Sequence, residues 1–89
     1  MASNDHSLLT FPCSYPIKAA GHSDAHLQQT VLELMQRHVP NLTAAALSSR
    51  PSKTGRYTAI TITFEASSRA QLDAIYRDLQ ACTLLVWVL

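Results

Sequence analysis

The alternation of apolar and polar positions is sharpest between Arg56 and Ala66. Thr58, Ile60, Ile62 and Phe64 alternate there with Tyr57, Ala59, Thr61, Thr63 and Glu65. A period of two predicts a strand with its larger apolar side chains on one face and mostly threonine on the other. One face of such a strand enters a core, and the other meets water or a partner. The period changes on both sides. Upstream, Leu27, Val31, Leu34, Met35 and His38 recur at helical spacing, with Gln28, Gln29, Glu33, Gln36 and Arg37 largely opposite. A first helix is predicted, capped by Ser23 or Asp24 and running to about His38, with Pro40 as its stop. Downstream, Leu72, Ile75, Tyr76 and Leu79 form a second helical stripe. Ser67 and Ser68 stand at its start, and Gln71 follows Ser68 at the spacing of a capping box. Arg69, Asp73 and Arg77 lie on its exposed side, and Cys82 closes it.

Three further strands complete the pattern. Pro12 and Pro16 keep Phe11 to Pro16 extended but out of a central pairing, so the first strand is predicted over Ile17 to Ala20, ended by Gly21. Leu42 to Ser49 is alanine-rich and lacks a bulky period, and its propensity also suits a helix. It lies between a helix stop and a turn, and the strand after it needs a neighbour, so it is read as the second strand. Pro51 to Gly55 is then a hairpin loop. Leu84 to Leu89 is apolar on both faces, which fits a strand covered on both sides or one that serves as an interaction surface.

The order is strand, helix, strand, strand, helix, strand. Right-handed crossovers return each helix to a strand parallel to the one it left, with one strand between. The expected fold is therefore α+β: a ferredoxin-like βαββαβ plait. Its four-stranded antiparallel sheet has the order 4-1-3-2 and both helices on one face. Residues 1–10 are read as a flexible tail and residues 11–89 as a single domain. The other sheet face is left bare, and such folds dimerise or bind there.

Composition narrows the function. Charged residues are 15% of the chain and the net charge is +1, too small an excess for a protein that grips nucleic acid through phosphates. No apolar run approaches the roughly 20 residues that span a bilayer, and the first residues do not read as a signal peptide. Two cysteines, Cys13 and Cys82, make no disulfide framework and fall far apart in the plait. The expectation is a cytoplasmic protein with no membrane or nucleic-acid partner.

Several pieces carry a family resemblance: Phe11-Pro12 with Pro16-Ile17-Lys18 and Gly21, then Gln36-Arg37-His38 with Pro40. Ser52-Lys53 with Gly55 and Tyr57, Ile60-Thr61-Ile62-Thr63, Gln71-Leu72, Ile75-Tyr76, Leu79 and Val88-Leu89 follow in order. The chain resembles the YbeD-like family of small bacterial proteins over nearly all its length after residue 10. The resemblance implies a ferredoxin-like fold similar to the ACT domains that regulate amino-acid metabolism, and it implies no catalytic residues. Trp87 departs from the smaller or more flexible residue expected there. On the bare face it would be an unusual anchor.

Three candidate sites follow. Gly21, Ser23 and Asp24 occupy the turn that meets a small effector in ACT domains, and free amides at a helix start can hold a carboxylate. The ordinary reading of this turn is a cap. Arg50, Lys53 and Arg56 surround the hairpin, with Lys18 on a nearby strand, and form a candidate anion site. The ordinary reading is a solvated tip. Leu85, Trp87 and Leu89 are the candidate interface. His22 and His26 have metal-ligand spacing but no third ligand, so neither a metal nor another cofactor is expected. RNA binding is weakly suggested by Gly55-Arg56-Tyr57, but Ala59 and Thr61 stand where stacking aromatics belong. No nucleophile elbow, phosphate loop or split carboxylate pair marks an enzyme. The expected function is a non-enzymatic regulatory or adaptor domain acting on a protein partner or as a homo-oligomer. A sensor for an amino acid or other carboxylate is the alternative.

Overall fold

The computed structural model describes residues 10–89; the predicted tail, with His6, lies almost wholly outside them. The architecture is the expected plait. Strand β1 is Cys13–His22, helix α1 Leu27–Gln36, strand β2 Leu47–Pro51, strand β3 Tyr57–Ala66, helix α2 Arg69–Ala81 and strand β4 Leu85–Val88. The sheet order β2-β3-β1-β4, with antiparallel pairing throughout, is the predicted order read from the opposite edge. Ile60, Ile62 and Phe64 of β3 point into the core with Ile17 of β1. They meet Val31 and Met35 of α1 and Leu72, Ile75 and Leu79 of α2. No polar or charged side chain among the described residues is buried.

Helix α2 begins as its sequence indicates. Ser68 Oγ accepts the Gln71 amide at 3.1 Å, while Gln71 Oε1 accepts the Ser67 amide at 2.8 Å. The return bond thus goes one residue further back than in the usual capping box. Gln71 Nε2 also donates to the His38 carbonyl, tying α2 to the end of α1. His38 Nε2 and Asp78 Oδ2, 2.6 Å apart, make a second tie between the same segments.

Three boundaries differ from expectation. Strand β1 is longer at both ends than Ile17 to Ala20. Lys18 exchanges both backbone hydrogen bonds with Leu89, so even-numbered residues in this part of β1 direct their N–H groups away from β3. Pro16 is one of them and lies beyond Leu89, so its missing N–H breaks no ladder bond. Gly21 does not end the strand; it pairs with Thr58 and Leu85. The predicted second strand starts too early. Ala44–Ala46 is a single 3-10 turn, closed by the Ala46 amide on the Thr43 carbonyl at 3.0 Å, and β2 begins at Leu47. Alanine brings little side chain to a sheet face and favours helical backbone, so local bonding wins until Leu47 enters the core. Helix α1 is shorter than expected at its start. His26 holds the cap position without a side-chain bond, and Asp24 Oδ1 accepts the His26 amide at 2.7 Å from outside the helix.

Candidate functional site

The bare face is built from the outward residues of each strand. Register fixes three rows across it. Trp87 of β4 lies opposite Ala20 of β1, Ala20 opposite Ala59 of β3, and Ala59 opposite Arg50 of β2. On one side of this row His22 lies opposite Tyr57, their rings 4.8 Å apart at an interplanar angle of 34°. On the other side Lys18 lies opposite Thr61, and Thr61 opposite Ser48. The two alanines are a low floor between tall ends. The result is a trough of about 380 Å³ lined by Ala20, Arg50, Pro51, Ser52, Tyr57, Ala59 and Trp87.

Exposure varies along the trough. Ala20 is 4% exposed and Ala59 is exposed, while Trp87 is 44% and Tyr57 38% exposed. Along the outer edge Val86 is 49% and Leu89 70% exposed. Large apolar side chains at such exposure, grouped on one face, mark an interaction surface more often than isolated ones do.

A bulge sorts the last strand. Ala20 pairs with Trp87, but Gly21 pairs with Leu85, so Val86 is the extra residue. The shift leaves Trp87 on the bare face and turns Leu85, half-buried, against the core. Of the expected interface residues, Trp87 and Leu89 are exposed and Leu85 is not on their side. The bulge also explains Gly21. A Cβ there would stand 2.1 Å from the Leu84 carbonyl oxygen and 3.1 Å from Leu27 Cδ1, so the position is closed to any side chain.

The turn residues are placed separately. Gly21 is buried in β1, while Ser23 and Asp24 are exposed. Ser23 Oγ meets Thr58 Oγ1 at 2.8 Å and the Ser23 amide donates to the Arg56 carbonyl, so Ser23 stitches the turn to β3. Asp24 is occupied by the His26 amide. The hairpin cations also part company. Arg50 lies on the bare face and lines the trough, whereas Lys53 and Arg56 stand in the loop beside Gly55, whose φ of 78° requires glycine. Among the described residues no cluster of metal-ligating side chains occurs, and both cysteines are free.

One polar pair lies under the helix-covered side. The Tyr15 and Tyr76 hydroxyls are 3.4 Å apart, and burial, followed by that contact, pushes the Tyr76 hydroxyl pKa well above its ordinary value. Tyr76 is thereby kept neutral and suits packing better than proton transfer.

Comparison with known proteins gives a family and a fold match. The sequence model of a family described as "Protein of unknown function (DUF493)" matches residues 6–89. The chain belongs to the DUF493 family. Relatives named UPF0250 protein include one from Paraburkholderia phytofirmans, 40% identical over 79 residues, covering 89% of each chain. Another, from Neisseria gonorrhoeae, is 38% identical over 86 residues, covering 97% of this chain and 94% of its own. The YbeD-like resemblance in the sequence is to this same group. Among solved structures, the solution structure of protein HP0495 from H. pylori superposes with a TM-score of 0.74. It is 15% identical and covers 91% of this chain and 85% of its own, which makes it a match of fold. The DUF493 chain therefore has a ferredoxin-like fold. No helix among its described residues is long and apolar enough to cross a membrane.

The sequence marks Trp87 and Arg50 singly, and only the paired register aligns them in one row. The signal available was small: among the bare-face positions of their strands Ala20 and Ala59 are the shortest side chains, and the paired register brings them together.

Proposed function

We propose that this DUF493 protein is a non-enzymatic cytoplasmic adaptor or regulatory domain, ACT-like in plan, that binds a protein partner through the bare face of its sheet and the edge of β4. The observation that carries this is the exposed Trp87, set with Tyr57 and Leu89 on a face whose other residues are mostly small or polar. A large aromatic anchor with a polar surround is the common form of a binding hot spot. The partner is an acidic surface with an apolar centre. The bare face carries Lys18 and Arg50, with Lys53 and Arg56 beside it, against Glu65 at the far end. A second copy laid face to face would bring like charges together, which disfavours self-association on this surface.

The test is partner capture with matched variants. The wild type should retain an acidic partner that Trp87→Ala and Arg50→Glu both lose, while Arg69→Glu on the exposed side of α2 retains it. Sedimentation of the isolated protein should give a monomer. Retention indifferent to Trp87 and Arg50, or a tight homodimer disrupted by Trp87→Ala, would overturn the reading.

A further inference from the structure

We infer that the trough across the bare sheet face is a binding site for a small aromatic monocarboxylate, with its ring on the Ala20–Ala59 floor and its carboxylate on Arg50. Three observations converge on this. The first is shape. The row from Trp87 to Arg50 crosses four strands, and three interstrand spacings place its ends about 14 Å apart. The Trp87 and Arg50 side chains take up part of that length, and the two alanines between them leave room for one ring and a short chain. The volume of about 380 Å³ falls in the range of small-molecule sites.

The second is chemistry. Trp87 and Tyr57 present aromatic surface to the trough, and planar rings pack well against such surface. Arg50 and Ser52 lie at the end away from Trp87, with Tyr57 beside Ser52, and no acidic residue is in the lining. Arg50 forms no ion pair among the described residues. Its planar guanidinium matches a carboxylate in a bidentate pair.

The third is contrast with the other depressions. A depression of about 450 Å³ between the helices contains both Arg37 and Asp78, and Asp78 already holds His38. One of about 330 Å³ contains Glu65 and Asn41 but no lysine or arginine; its His38 is held by Asp78, and its Gln71 is engaged with Ser68 Oγ, the Ser67 amide and the His38 carbonyl. Of these three depressions, the trough alone pairs aromatic surface with an uncommitted cation. A carboxylate bound there neutralises Arg50 and so sets the charge that the docking face presents. The site itself does not depend on that docking, because occupancy is read on the isolated protein.

Trp87 is the only tryptophan in the chain and reports directly. The protein is titrated with phenylbutyrate, and with phenylbutanol and phenylbutylamine as neutral and cationic counterparts. Trp87 fluorescence is followed, with amide NMR shifts at Ala20, Ala59 and Trp87 as a second readout. A ligand of this size is expected to bind at about 1 mM. The carboxylate should bind about tenfold tighter than the alcohol, as a charge-assisted contact requires, and the amine weakest. Arg50→Gln should remove that tenfold preference and leave alcohol binding unchanged. Ala59→Leu, a surface change on the trough floor, should abolish binding of all three. Lys53→Gln, outside the trough, should stay within about twofold of the wild type, because screening weakens a distant exposed charge. Equal binding of the three compounds would overturn the assignment, as would an unchanged preference in Arg50→Gln or no response in either readout. A short peptide ending in a phenylalanine carboxylate, binding tenfold tighter than phenylbutyrate, would assign the trough to a chain terminus and overturn the small-molecule site.

Discussion

The two faces of one sheet differ more than any two separate elements of this protein. On β3, Ile60, Ile62 and Phe64 face the helices and are buried, while Tyr57, Ala59, Thr61, Thr63 and Glu65 alternate with them on the other side. The covered face contributes stability through burial, at about 25 cal/mol per Å² of apolar surface. The bare face is spared that demand. A large side chain there, such as Trp87, is not explained by the core and so points outward to function. Strand β4 shows the same division in four residues, with Leu85 and Val88 against the core and Trp87 away from it.

The contrast breaks most sharply on neighbouring residues of one strand. Ile62→Ala should cost about 4 kcal/mol by leaving a cavity under both helices. Thr61→Ala, one residue away on the bare face, should stay within about 0.5 kcal/mol. Urea unfolding of the two variants checks the pair, and similar losses would mean that the bare face is covered.

Gly21→Ala attacks the seam where β4 meets β1. The new Cβ cannot coexist with the Leu84 carbonyl oxygen, so β4 must shift. A loss of about 3 kcal/mol is expected from such overpacking. Because Trp87 is carried by β4, its fluorescence should change in the folded variant as well. A stable variant with unaltered Trp87 emission would contradict the close crossing.

Ser68→Ala removes the cap of α2, and thermal unfolding should register a loss of about 1 kcal/mol. A weaker effect comes with pH. Tyr76 ionises in the folded state well above its ordinary value of 10.0, so the folded protein holds this proton after the unfolded chain has released it. The associated stability is complete below about pH 10 and is lost as pH rises beyond it. Urea midpoints should therefore fall from about pH 9 to about pH 11, and fall less steeply in Tyr76→Phe. An identical fall in that variant would assign the alkaline loss to other groups.

Trp87→Thr should also be mild on the stability scale, below about 1 kcal/mol, since more than a third of the side chain is already in water. Its effect on docking and on the trough should be the largest of any residue on the bare face. A variant that unfolds instead would place Trp87 with the core.

The elements, their order and the buried stripe of each helix were legible in the sequence, because periodicity is local. Period two at β3, helical spacing in α1 and α2, and the Ser68–Gln71 cap each depend on residues a few positions apart. The plait then follows from right-handed crossovers acting on that order. Where two local preferences competed, the local pattern alone did not decide the outcome. Ala44–Ala46 satisfied its own backbone as a 3-10 turn, and Pro16 sat inside a longer strand because its N–H side faces no partner. The trough depended on information that no local pattern holds. Trp87, Ala20, Ala59 and Arg50 come from four strands, and only their register places them in one row. The bulge at Val86 decides which face Trp87 occupies, because a shift of one residue sends a strand's side chains to the opposite face. The sequence thus determined which residues alternate on each strand, and tertiary pairing decided which of them meet.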